Sequence, residues 1–191
     1  FDSSQGVEPQ SETVWHQADK YNVSRIAFVN KMDKLGADFF MSLASIQERL
    51  SKDAVAIQLP IGADSTFSGL VDLIEEKAYH FEGQHGENIV EVPIPEDMKE
   101  MVKEYRAKMV EKVSEATDEL MEKFLNNTTL TNDEIRTAIR ILTLKSKMYP
   151  VLCGSALSNI GVQFMLDAVT YYLPSPLDIP PLKGIDPDTE L

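Results

Sequence analysis

Three polar side chains crowd the end of an apolar run: Asn30, Lys31 and Asp33, within FVNKMDKLGAD at 28–38. A second small phrase, Ser155-Ala156-Leu157, closes another apolar run, YPVLC. A carboxylate only accepts hydrogen bonds, so Asp33 asks for a ligand that presents two donors side by side. Guanine does this with its ring N1–H and exocyclic amine. Adenine puts an acceptor at that ring position and would leave a desolvated carboxylate unpaired. A site built on such a pair rejects the wrong partner by about 10⁴–10⁵. Lys31 can lay its aliphatic stem over a base face while its charge stays in water. Asn30 can tie the two loops together. The Ala156 N–H can donate to the guanine carbonyl, and Ser155 can orient Asp33. The plainer reading of such a strand end is a helix cap.

These residues need elements to position them. EPQSETVWHQADKY is helical, with Pro9 early and Val14, Trp15, Ala18 and Tyr21 at helical spacing. RIAFVN reads as a buried strand. DFFMSLASIQERL is again helical, with Phe39, Leu43, Ile46 and Leu50 on one face. Helix, strand and helix in this order predict an α/β sheet with parallel strands. Ligands of such sheets bind beyond the carboxyl ends of the strands, which is where both phrases fall.

Between them the texture changes. AVAIQLPIG, FSGLVDLI, KAYHFEG and NIVEVPIP are short strand candidates. From Glu96 a helical pattern runs to Phe124, as one helix or as two broken near SEATDE. Thr131 and Glu134 have the spacing of a capping box. GVQFMLDAVTYYL is a helix with Val162, Met165, Leu166 and Val169 expected inward. The division is therefore an α/β core at 1–53 and 150–180, an α+β insert at 54–149, and a Pro-rich linker at 181–191.

Acidic residues number 31 and basic ones 18 among 191, a net charge of −13. That balance argues against loose nucleic-acid binding and leaves room for a basic protein partner. One cysteine, Cys153, excludes an internal disulfide and reads as a small buried hydrophobe. His80, His85 and His16 read as solvated or surface residues. No apolar run is long enough to span a bilayer, and no signal peptide is visible, so the cytoplasm is the default location. The chain opens without Met in a turn-like phrase, as a piece of a longer protein would.

The NKMD and SAL phrases resemble the two base-specificity motifs of translational GTPases. With GVEPQSETVW, RIAFVNKMDKLGAD, QLPIG, GLVDLI, CGSAL and LDAVTYYLPSPLDIPP, the chain resembles the elongation factor G family along almost its whole length. The resemblance implies a partial P-loop GTPase core with an inserted subdomain, GTP or GDP as ligand, and the ribosome as partner, in translocation of tRNA and mRNA. Asn30, Lys31, Asp33, Ser155, Ala156 and Leu157 would then select guanine. The phosphate-binding pattern G-x-x-x-x-G-K-[ST] is absent from these residues. DKLG at 33–36 fits the D-x-x-G switch string by coincidence, since its Asp belongs to NKMD. Phosphate contacts, Mg²⁺ and hydrolysis are therefore expected in segments before residue 1, leaving this chain alone without catalytic residues.

Glu111, Glu115, Asp118 and Glu122 follow i, i+4, i+7 and i+11, one acidic stripe. The plain reading is a solvated face. The resemblance implies that Glu111, Glu115 and Asp118 contact the stalk protein of the large ribosomal subunit. Two rivals stand beside this reading. One is a sibling ribosomal-protection or release factor; the other is a non-catalytic module that docks proteins through the acidic helix. A sheet without its first strands would expose an edge able to pair with a second chain, which allows a dimer.

Overall fold

A computed structural model describes residues 1–83 and 86–178. His85 and the expected linker at 181–191 lie outside the described residues. Among the described residues, seven strands form two sheets. β1 (Ala27–Val29), β7 (Tyr149–Cys153) and β2 (Ala54–Ala56) make a parallel sheet in the order β1-β7-β2. β3 (Gln58–Ile61), β4 (Gly69–Asp72), β5 (Lys77–Glu82) and β6 (Asn88–Val92) make an antiparallel meander in chain order. The mixed α/β fold expected from the sequence is therefore present, with a parallel sheet and an antiparallel insert.

The residue between the sheets joins them. Ile57 donates its N–H to Val151 of β7 at 3.0 Å and accepts from Leu73 just past β4 at 3.0 Å. β2, which the sequence reading grouped with the insert, pairs with the core strand β7. One hydrophobic cluster runs through both sheets, with Leu59, Leu70, Val151 and Leu152 almost wholly buried. β7 is buried along its full length, as a central parallel strand covered on both faces must be.

α1 (Pro9–Lys20) carries Pro near its start, where no helical N–H is lost. Of its spaced residues only Trp15 is buried, while Val14 and Tyr21 stay exposed. Arg25 pins the helix to the sheet. Its guanidinium lies 4.4 Å from the Trp15 ring centroid and 5.0 Å from that of Tyr149, and it donates to the Trp15 carbonyl at 2.8 Å. α2 (Phe39–Arg49) starts at Asp38, whose carboxylate accepts from the Met41 N–H at 2.9 Å. It buries Phe39, Ser42, Leu43 and Ile46.

The helical insert contains α3 (Lys99–Ser114), α4 (Asp118–Leu125) and α5 (Asn132–Leu144). Thr117 ends the first run by capping the second: its backbone is extended, with φ −148° and ψ 155°, and its hydroxyl accepts from Leu120 N–H. The acidic series is therefore not one helical stripe. Glu111 lies on α3, Glu115 caps its end, and Asp118 opens α4. The Thr131–Glu134 capping box at the start of α5 is formed in both directions.

α6 (Val162–Tyr172) corrects one expectation. Its inward residues are Ala168 and Tyr172, with Phe164 packed against the core. Leu166 and Val169, expected inside, are 57% and 39% exposed. The ring of Phe164 lies tilted against Tyr79 and edge-on to Phe81, with centroids 5.0 and 6.1 Å away.

Candidate functional site

The site lies where β1 and β7 end side by side. Gly154 N–H donates to the Val29 carbonyl at 3.0 Å, and Met32 N–H returns a bond to the Gly154 carbonyl at 3.1 Å. Gly154 has no room for a side chain: a Cβ there would sit 2.3 Å from the Ile160 carbonyl oxygen and 2.7 Å from Phe28 Cζ. The loop after it closes on itself through a pair of bonds between Ser155 and Ile160, at 2.9 and 3.0 Å. The first loop is fixed by Met32, whose side chain is fully buried. Lys31 has a left-handed backbone, φ 65°, a conformation that persists in a non-glycine residue only when its surroundings enforce it. The Ser3 hydroxyl supplies part of that enforcement by donating to the Lys31 carbonyl at 2.8 Å.

Side chains then lock the two loops to each other. Asn30 Oδ1 accepts from the Lys31 N–H at 2.8 Å and from the Ala156 N–H at 2.9 Å. Ser158 Oγ donates to Asp33 Oδ2 at 2.6 Å. Ser155 is wholly buried, and its hydroxyl accepts from the Ser158 N–H at 3.2 Å. Partial burial pushes the Asp33 pKa up, but the Ser158 and Ser155 hydroxyls and its own backbone more than offset this, and the net direction is down. Asp33 is thus held as a carboxylate. Leu157, in the second loop, is 93% exposed.

All six residues expected at the base site therefore come together, with two differences. The Ala156 N–H, expected to reach a guanine carbonyl, is donated to Asn30. The Lys31 ammonium is drawn to Asp2 Oδ2 at 2.9 Å, with Lys34 on the same oxygen at 3.2 Å. Those contacts, with Ser4, drive the Asp2 pKa strongly down, the Lys31 bond contributing most. Asp2, Ser3 and Ser158 were not singled out from the sequence. Only Ser158 left a signal there, as the second serine of SALS. Asp2 reaches the site because the backbone of Phe1–Ser3 runs parallel to β1, with Asn30 N–H donating to Phe1 O at 2.8 Å and Ser3 N–H to Asn30 O at 2.9 Å.

The remaining sequence candidates do not join the site. Cys153 is buried, and desolvation pushes its thiol pKa far up, so it is an inert hydrophobe. His16 is an exposed residue of α1 near Asp19. Glu115 pairs with Lys112 at 2.6 Å, and Lys112 also reaches Asp53 at 2.8 Å. Among the described residues no three His, Cys, Asp or Glu side chains converge as a metal site. No helix among them is long and apolar enough to cross a membrane.

An open parallel sheet with two interlocked loops beyond its strand ends defines the ligand-binding α/β class. Residues 1–175 match the Elongation factor Tu GTP binding domain, and the chain belongs to that family of translation-factor GTPases, which bind guanine nucleotides. A crystal structure of a protein from Thermus thermophilus is similar at a TM-score of 0.84 and 27% identity, over 93% of this chain and 26% of that one. The chain spans about a quarter of the length of the Thermus protein.

Proposed function

We propose that this chain is the guanine-reading part of a ribosome-dependent translational GTPase of the elongation factor G type, acting in the cytoplasm in movement of tRNA and mRNA. Asp33 accepts from the N1–H and exocyclic amine of guanine. Lys31 and Leu157 flank the base on its two faces. Asn30 holds the loops together before nucleotide binds, Ser155 orients Asp33, and the Ala156 N–H exchanges Asn30 for the guanine carbonyl when nucleotide is bound. Phosphate binding, Mg²⁺ coordination and hydrolysis belong to other segments of the protein. Glu111, Glu115 and Asp118 serve as contacts for a basic stalk protein.

The observation that supports this reading is the Asp33 carboxylate held by Ser158, on two loops that Asn30 and Ala156 join beyond adjacent parallel strand ends. The test is a calorimetric titration with GDP, XDP and ADP. The unaltered protein is expected to prefer GDP. Asp33→Asn is expected to reverse the order of GDP and XDP, because xanthine replaces a donor with an acceptor where the new amide can donate. An unchanged preference for GDP over XDP in Asp33→Asn would sink the reading.

A further inference from the structure

We propose that Ser158 is a positioning residue for base recognition: its hydroxyl fixes the rotation of the Asp33 carboxylate and so sets how that group meets guanine. The inference rests on the base-reading role given to Asp33 above.

The terminal torsion of an aspartate is broad and roughly two-fold, so an unrestrained carboxylate presents its oxygens over a wide arc. Two donors side by side on a base need them in one plane. The Ser158 Oγ–Asp33 Oδ2 distance of 2.6 Å falls in the short range of hydroxyl-to-carboxylate bonds, which are about twice as strong as neutral ones. Ser158 is itself held, its N–H donating to Ser155 Oγ at 3.2 Å. That serine is wholly buried in a loop closed by its bridge to Ile160. The donor is thus held within that closed loop.

The same loop is clamped at its other shoulder by the Ala156 N–H on Asn30 Oδ1. The two cross-loop bonds have different fates when a base arrives. The Ala156 N–H is the donor that turns to the ligand. The Ser158 hydroxyl has no such task and can stay on Asp33 throughout. Each carboxylate oxygen has two lone pairs, so one bond to Ser158 leaves Oδ2 able to accept again. The groups acting on Asp33 are Ser158, Ser155 and its own backbone. The nearest cations in sequence, Lys31 and Lys34, both point to Asp2. The Ser158 hydroxyl, not a counter-ion, aligns Asp33.

The experiment compares the unaltered chain with Ser158→Ala and Ser158→Thr. The Asp33 carboxyl carbon is followed by NMR across acid pH, and GDP and IDP affinities are measured at neutral pH. IDP lacks the exocyclic amine, so the GDP/IDP ratio reports the two-donor grip. In Ser158→Ala the Asp33 pKa is expected to rise and the GDP/IDP ratio to fall about tenfold, the scale of one hydrogen bond to a charged group. Ser158→Thr keeps the hydroxyl and is expected to match the unaltered chain in both. A merely structural serine would lower stability without moving the ratio. An Asp33 pKa and GDP/IDP ratio unchanged in Ser158→Ala overturn the role of Ser158 and leave base reading intact. An Asp33→Asn variant that keeps its GDP preference overturns base reading and this inference together.

Discussion

At the carboxyl ends of β1 and β7, Asn30 and Asp33 bond to residues 126 and 125 positions away. On α3 and α4 the acidic side chains find partners nearby in the chain: Glu115 pairs with Lys112, and Glu119 with Lys123. The first arrangement depends on the whole fold being in place. The second depends on a single turn of helix. Long-range side-chain bonds between loops on a buried strand pair restrict a few groups to one geometry, which is what discrimination between similar ligands needs. Short-range pairs on an exposed face leave the charges mobile and screened. A surface of that kind suits long-range attraction to a basic partner and carries little geometric information.

The largest effect is expected at Gly154. Its position between the Ile160 carbonyl and Phe28 leaves no space for a methyl group. Gly154→Ala is expected to lower stability by about 2–3 kcal/mol, the upper range of overpacking costs, and to separate the two loops. Urea denaturation followed by fluorescence would measure the first effect and GDP titration the second. A variant as stable as the parent would mean that the strand ends are pliable, and the claimed rigidity of this end would be lost.

A smaller effect is expected at the start of α5. Thr131→Ala removes a capping hydroxyl and should cost about 1 kcal/mol, with GDP binding unchanged. This end also carries a pH signature. Lys123, with the Thr131 N–H and hydroxyl, lowers the Glu134 pKa to about 2, below the roughly 4.3 of an unfolded glutamate. The group is depressed in the folded state, so its contribution is present above the unfolded value and is lost as pH falls through the folded one. Stability measured between pH 5 and pH 2 should therefore decline. Thr131→Ala should make that decline shallower. An equally steep decline in the variant would assign the effect to other carboxylates.

These two ends also differ in how legible they were. Thr131-x-x-Glu134 is a local pattern with a local cause, and it formed as read. The strand ends were legible because three polar residues after an apolar run need a reason. Ser158 and Asp2 were harder to see, since their roles exist only once distant segments meet. The α3–α4 break hinges on one extended residue, Thr117, inside a pattern whose apolar spacing runs straight through it. The rotation of α6 was misread for a related reason. Leu166 and Val169 are apolar like Phe164, and the packing of α6 against α5 and against the rings of Tyr79 and Phe81 decides which face turns inward.

The smallest expected effect tests the helical side of the comparison. Glu115→Lys breaks an exposed pair with Lys112, yet Lys112 keeps Asp53 at 2.8 Å. Stability should change by less than about 0.5 kcal/mol, as for most surface substitutions. Binding to a basic protein domain behaves differently, because every charge within about a Debye length contributes to it. Glu111→Lys and Glu115→Lys together change the net charge of this face by +4. Any such binding should weaken in both variants and should fall as salt rises from 50 to 500 mM. Affinity that ignores both salt and charge reversal would mean the acids are a solvated face and nothing more. Affinity that responds to Glu115→Lys and is indifferent to Glu111→Lys would point to a contact fixed at the α3–α4 break, giving this region a geometric character like that of the strand ends.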